Sequence, residues 1–112
     1  MLSRYFWVYI LLCDNAAYYT GWTNDLHRRY QEHVRGSPKC KYTRSFKPLA
    51  IAQAWKTMQG RTTVLQIESY IKSLNKRQKE QLIREPQRLV DLFPDSGLMC
   101  LNNQLPSAMV PH

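Results

Sequence analysis

The sequence predicts an α+β domain, a small three-stranded antiparallel sheet flanked by helices in the order β-β-α-β-α-α. Three observations predict it. The run "YFWVYILL" (Tyr5–Leu12) is aromatic and aliphatic without a break, as expected of a strand buried on both faces. Apolar residues recur at helical spacing in two later segments, one from Leu26 and one from Val64. Short turn-forming pairs, Asp14-Asn15 and Gln59-Gly60, punctuate the chain between these runs. Strands and helices interleaved in this way bury their apolar faces as layers.

Taken in order, Tyr5–Leu12 is the first strand. Asp14-Asn15 turns the chain, and Ala17–Trp22 returns as a second strand, antiparallel by hairpin logic. Gly21 near its end suggests a bulge or a close approach to the backbone. Thr23 or Asn24 can cap a helix, with Asp25 in its first turn. That helix runs to about Arg35, stops at Gly36, and has Pro38 beyond. Leu26, Tyr30 and Val34 make its buried stripe. "GSPKCKYTRSFKP" reads as a basic loop. "LAIAQAWK" (Leu49–Lys56) fits a third strand, although its alanines also suit a helix. Thr62 or Thr63 can cap a second helix reaching about Leu74, and Asn75 a short third helix over "NKRQKEQLI". Residues 1–84 hold the domain. Residues 85–112, with four of the six prolines, form an extension containing one short helix near Leu89–Phe93 or a loose tail.

With 112 residues the chain suits one domain. Its net charge of +8 favours an anionic partner, nucleic acid before an anionic membrane surface. Three widely spaced cysteines, Cys13, Cys40 and Cys100, lack metal-ligand spacing and read as isolated thiols in a reducing cytosol. "FWVYILLC" is far too short to span a bilayer. A cytoplasmic protein is expected, without a membrane or a dinucleotide cofactor.

Four features bear on chemistry. Glu68 lies at the edge of the apolar arc of Val64, Ile67, Ile71 and Leu74. It is the sole carboxylate between His33 and Lys79, a span with eleven lysines and arginines. A half-buried acid needs a partner. Lys72, four residues on, is one; a hard cation such as Mg²⁺ is another. Arg29 and His33 are also four apart and share a helical face beside the Leu26/Tyr30 stripe. They are either a solvated face, or a phosphate fork and a proton carrier. Tyr9 and Tyr19 fall on neighbouring strands, where they are either good β-formers in a core or hydroxyls available to a phosphate or water. "KCKYTRSFK" interleaves Tyr42 and Phe46 with cations, a pattern that suits a nucleic-acid groove. Seven of the sixteen lysines and arginines fall between Arg28 and Lys47, against one carboxylate, Glu32.

The order of these residues carries more than any of them alone. "VYI" (Val8–Ile10), then "YTG" (Tyr19–Gly21), then "DLHRRYQEH", "KYTR" and "IESYIKSLNKRQKEQL" together resemble the GIY-YIG nuclease domain over about residues 5–83. The resemblance is to the small stand-alone bacterial members (the UvrC N-terminal-like subgroup). Val8 stands in place of the first motif's glycine and Thr20 in place of an aliphatic residue of the second. His27 stands where an acid is common. Asn75 is not assigned to the asparagine of some homing-type members.

The resemblance implies a metal-dependent endonuclease of DNA repair or processing. Its catalytic set would be Tyr9, Tyr19, Arg29, His33 and Glu68, with Glu68 holding one Mg²⁺ or Mn²⁺. Tyr9 would help to deprotonate the attacking water with His33 as proton acceptor, Arg29 would hold the phosphate, and Tyr19 would complete the cluster. Gly21 would let the backbone approach the substrate, and Tyr18 would face the core. Arg28, Lys39, Lys41, Tyr42, Arg44, Lys72 and Lys76 would bind nucleic acid. Single-stranded or structured DNA is favoured, with RNA as an alternative. The competing expectations are a catalytically inactive nucleic-acid binding module and a protein-interaction domain using the Pro-rich tail.

Overall fold

A computed structural model of the chain describes residues 4–100, and of Arg44 the backbone. Strands β1 (Phe6–Cys13), β2 (Tyr18–Thr23), β3 (Pro48–Thr57) and β4 (Met99–Cys100) alternate with helices α1 (Leu26–Arg35), α2 (Lys41–Ser45), α3 (Arg61–Lys72), α4 (Lys76–Arg84) and α5 (Gln87–Leu92) in the order β-β-α-α-β-α-α-α-β. The sheet is antiparallel, in the order β2-β1-β3-β4. Among the described residues it therefore has four strands where the sequence predicts three. Among the described residues β4 pairs Cys100 with Trp55 and Met99 with Lys56 at the edge of β3, and two residues are too few to show a period of two. The expected basic loop contains the five-residue α2, too short for a helical periodicity to register.

Alternation along β1 gives the sheet two buried faces. Val8 and Ile10 point to one, where Val64, Ile67 and Ile71 of α3, Leu82 of α4 and Leu89 of α5 close over them and Trp55. Tyr9, Leu11 and Cys13 point to the other, which Leu26 and Tyr30 of α1 cover, with Tyr42 of α2 packed alongside. Each of the fully buried aliphatic side chains contributes about 1.5–3 kcal/mol relative to exposure. Leu89, Val90, Phe93, Leu98 and Cys100 share the first face. Trp55 Nε1 donates to the Pro86 carbonyl at 2.9 Å, and Thr57 Oγ1 to that of Ser96 at 2.6 Å. Residues 101–112 of the expected extension lie outside the described residues.

Helix ends differ from expectation in two places. Asp25, rather than Thr23 or Asn24, caps α1: its backbone is extended and its carboxylate accepts from Arg28 N at 3.1 Å. Thr23 Oγ1 accepts from Asp25 N at 3.0 Å and so shapes the approach to that cap. Gly60, rather than Thr62 or Thr63, precedes α3, with a positive φ of 100°. Gly36 and Asn75 act as expected. Gly36 ends α1 in the left-handed region, and Asn75 opens α4 in a capping box with Gln78. The buried stripe of α1 is Leu26, Tyr30 and His33, whereas Val34 is 39% exposed. At 100° per residue, position i+8 has drifted about 80° from Leu26, while i+7 returns to within about 20° of it. The inward place that the sequence assigns to Val34 belongs to His33.

Candidate active site

The site begins with Tyr9 in the middle of β1, opposite Gly21 in the β1–β2 ladder. Leu11 is paired with Tyr19, so Tyr9 and Tyr19 lie diagonally on the α1 face of the sheet. Gly21 makes no bend: it sits in unbroken register, without a positive φ. The bulge expected there is absent, and the ladder slips instead between β1 and β3. The missing side chain is what Gly21 supplies, because the Tyr9 phenol ring lies where its Cβ would stand.

His33 descends from α1 onto these rings. Its Nε2 is 2.8 Å from the Tyr9 hydroxyl, and its Nδ1 is 2.8 Å from Thr43 Oγ1 of α2. Thr43 Oγ1 also donates to the Cys40 carbonyl at 3.3 Å. Tyr19 meets the imidazole edge-on at 5.2 Å between centroids and stacks at 5.6 Å on Tyr42. Tyr9, His33 and Thr43 are buried. Burial lowers the pKa of His33 to about 4, helped by the neighbouring Arg29 charge and opposed by Glu32. Burial raises that of the Tyr9 phenol well above its ordinary value, against the pull of the Arg29 guanidinium beside it. At neutral pH the cluster thus holds a neutral imidazole and a neutral phenol.

Arg29, one turn before His33, connects this buried pair to the surface. Burial lowers its pKa, but Tyr9 and Glu32 more than offset that and hold it cationic. Its Nη1 donates to Glu32 Oε1 at 3.1 Å, and that bond holds the Glu32 carboxyl below its ordinary range. Both side chains line an open cleft of about 780 Å³ with Phe6, Trp22, Thr23, Asn24, Arg28, Lys39 and Arg61. Four cations and one acid border it.

Glu68 comes from a different helix. It is on α3, which covers the face of the sheet opposite to Tyr9 and His33 and packs over β2, the edge strand, and β1. Its side chain is 13% exposed, and Oε2 is 3.5 Å from Lys72 Nζ, so the lysine partner weighed from sequence is present. Among the described residues no three His, Cys, Asp or Glu side chains gather as a ready-made metal cage. A single, mostly buried carboxylate with a displaceable partner still fits a hard cation of the Mg²⁺ type, which keeps most of its waters and shares its remaining ligands with substrate phosphate.

Residues 5–81 match the model of the GIY-YIG catalytic domain. The chain belongs to the GIY-YIG family. That family is one of nucleases, and nucleic acid is its class of substrate. The chain is 37% identical to a UPF0213 protein of Syntrophus aciditrophicus over 84 residues, 74% of this chain and 95% of that one. It is 36% identical to a UPF0213 protein of Bacillus velezensis over 80 residues, 71% and 79% of the two chains. A solution NMR structure of the UPF0213 protein BH0048 from Bacillus halodurans is 35% identical and covers 71% of this chain and 83% of that one, with a TM-score of 0.42. Among the described residues no helix is long and apolar enough to cross a membrane.

On this GIY-YIG scaffold the residues named from sequence are distributed unevenly. Tyr9, Tyr19 and His33 touch, Arg29 adjoins them, and Glu68 is carried by α3, the helix that packs over the edge strand β2. Arg28 and Lys39 line the cleft. Lys41 is exposed on α2. Tyr42 is stacked on Tyr19 and tilted against Phe46, and its hydroxyl accepts from Asn15 Nδ2 at 3.2 Å. Lys72 is engaged with Glu68, and Lys76 lies 5.9 Å from the Tyr18 ring, which packs on the α3 side as expected. Sequence reasoning missed Arg61, whose guanidinium lies 5.4 Å from the Trp22 ring across the cleft from α1, and it missed Thr43. Arg61 opens α3 after a glycine turn, which is a local signal. Its meeting with Trp22 is tertiary and leaves no mark in the sequence.

Proposed function

We propose that the protein is a metal-dependent endonuclease that hydrolyses phosphodiester bonds in DNA, preferring single-stranded or structured substrates, and that it serves repair or processing in the cytoplasm. The observation that carries the reading is the 2.8 Å hydrogen bond between the Tyr9 hydroxyl and His33 Nε2, set beside a cationic arginine that opens to a basic cleft. A phenol and a neutral imidazole in contact form a proton relay. As the attacking water gives a proton to Tyr9 Oη, Tyr9 gives its own to His33 Nε2, and no free phenolate is required. The imidazolium so formed lies near Arg29 and is short-lived for that reason.

Arg29 exchanges Glu32 for a phosphate oxygen and holds the scissile group against Tyr9. Arg28, Lys39 and Arg61 line the path of the flanking backbone. Tyr19 buttresses the imidazole ring. Glu68 would hold one Mg²⁺ or Mn²⁺, which supplies charge neutralisation at the phosphate and the leaving oxygen. A cleft lined by Phe6 and Trp22 among four cations suits a substrate read by backbone and exposed bases, which supports single-stranded DNA and leaves RNA as a second substrate to test.

One observation favours the alternative, a nucleic-acid binding module without activity. Both charged groups assigned to catalysis are already paired, Arg29 with Glu32 and Glu68 with Lys72. A cleavage assay separates the two readings. Labelled single-stranded, double-stranded and branched DNA and RNA are incubated with Mg²⁺, Mn²⁺ or EDTA, using wild-type and Glu68→Ala protein. Metal-dependent cutting that disappears in Glu68→Ala supports the nuclease. Binding without cutting in both proteins supports the module.

A further inference from the structure

We infer that Thr43 is a positioning residue that sets the tautomer of His33 and thereby makes Nε2 the proton acceptor for Tyr9. The inference rests on the proton relay proposed above, but its geometry is independent of any activity. A threonine hydroxyl has one proton to donate and two lone pairs to accept with. Thr43 Oγ1 lies within 3.3 Å of the Cys40 carbonyl, an acceptor only, and directs its proton there. It can then meet His33 Nδ1, 2.8 Å away, only as an acceptor, so Nδ1 carries the imidazole's single N–H. Nε2 is left with its lone pair facing the Tyr9 hydroxyl at 2.8 Å.

The other tautomer satisfies fewer groups. With the proton on Nε2, Thr43 would have to turn its hydroxyl from Cys40 to Nδ1, leaving the Cys40 carbonyl, at the N-cap of α2, with its intrahelical partner alone. Tyr9 would then accept from Nε2 while Arg29, a group with donors only, stands beside the same oxygen. The phenol proton would have no acceptor among these groups. In a buried cluster an unmade hydrogen bond costs about 1–3 kcal/mol, so the Nδ1–H form prevails. His33 faces Tyr9 from β1, Tyr19 from β2 and Thr43 from α2, with Arg29 and Glu32 on its own helix. Thr43 fixes the proton at Nδ1, and Tyr9, with Arg29 beside it, favours the same tautomer from the Nε2 side. The inference also gives α2 a purpose, since its five residues carry the buried Thr43 to α1, next to the stacked Tyr42.

The experiment is nitrogen-15 NMR of the imidazole nitrogens in histidine-labelled protein at pH 7. The three histidines are His27, His33 and His112, and the His33→Ala spectrum identifies the buried one. The expected result for wild type is a protonated Nδ1 and a bare, hydrogen-bonded Nε2 at His33. Thr43→Ser keeps the hydroxyl and should keep that pattern. Thr43→Val removes it at similar volume and should shift His33 toward the Nε2–H form. In cleavage assays Thr43→Val should lower kcat by about 10–100-fold with little change in KM, and Thr43→Ser should recover most of the loss. A wild-type His33 protonated on Nε2 overturns the inference without recourse to any variant, and so does a folded Thr43→Val protein that keeps the Nδ1–H form. If the tautomers follow expectation while wild type cuts no substrate, the nuclease reading fails and the role of Thr43 in setting the tautomer stands.

Discussion

Gly21 and Tyr9 face each other across the β1–β2 ladder, and a Cβ on residue 21 would lie 2.5 Å from the Tyr9 hydroxyl oxygen and 2.7 Å from the ring carbon that bears it. The glycine is a socket for the phenol. Its place in the "YTG" motif follows from this packing and not from a need for backbone freedom. Tyr9 is held between Gly21 and His33, with little room to yield. Gly21→Ala should therefore displace the hydroxyl from His33 Nε2. The expected outcome is a loss of cleavage rate of about 10²-fold, the scale on which a misplaced catalytic group acts. Overpacking should also cost about 1–3 kcal/mol of stability. Steady-state kinetics and a denaturant melt of the same protein check both. A Gly21→Ala protein as active as wild type would remove the socket from the mechanism.

The buried imidazole predicts a pH dependence. His33 titrates near 4 in the folded protein and near its ordinary 6.5 when unfolded, because burial opposes its charge. Between those values the unfolded chain binds more protons than the native one, so stability rises with pH through this window and is lost as pH falls through it. One linked proton gives a slope of at most about 1.4 kcal/mol per pH unit. Urea melts of wild type should show that slope from pH 6.5 down to about pH 4. His33→Gln should flatten it. In cleavage, the acid limb of kcat/KM should fall near pH 4 to 5. A limb centred at 6.5 would mean that His33 is solvated in the working enzyme.

The meeting of β1, β2 and α1 was legible because each part is a local pattern. Eight unbroken apolar residues make β1, a two-residue turn signal returns β2 beside it, and helical spacing aligns Arg29 with His33. What escaped depends on partners distant in sequence. β4 exists only because the edge of β3 is open to it. Arg61 reaches the cleft only because α3 starts beside Trp22. The inward turn of His33 was obscured by the aliphatic Val34 next to it, since hydropathy alone favours valine as the buried residue. Of the two expectations at Gly21, the close approach holds and the bulge does not. Glycine in a strand suggests a bend, and the ring that fills its place comes from another strand.

Glu32 occupies the fork that a phosphate would take. Its carboxylate is 3.1 Å from Arg29 Nη1 at the rim of the cleft, and it is the only acid among the lining residues of that cleft. Glu32→Gln should tighten binding of a labelled single-stranded oligonucleotide by about 2–5-fold, the range of a partly exposed ion pair of up to ~1 kcal/mol. The dependence of affinity on salt should steepen as well, because one more cation is free to release counterions. Fluorescence anisotropy at two salt concentrations measures both. Weaker binding by Glu32→Gln would show that the acid orients Arg29 and does not compete for it.

Lys72 and Glu68 provide a test of the metal assignment that does not rely on destroying the site. Lys72 is 53% exposed and its nitrogen lies 3.5 Å from Glu68 Oε2, so solvent screens the pair, and its loss should cost well under ~1 kcal/mol of stability. If Glu68 serves only as a partner for that lysine, Lys72→Met should leave cleavage and its metal requirement as they were. If Glu68 holds the cation, the ammonium competes with it for the same oxygen. Lys72→Met should then lower the Mn²⁺ concentration for half-maximal cleavage several-fold, while Glu68→Gln raises it beyond measurement or abolishes cleavage. Urea melts of the Lys72→Met protein, with and without Mn²⁺ and in the absence of nucleic acid, give a readout independent of turnover. Stabilisation by the ion that is larger than in wild type places the cation at Glu68. Equal stabilisation in wild type, Lys72→Met and Glu68→Gln places it elsewhere.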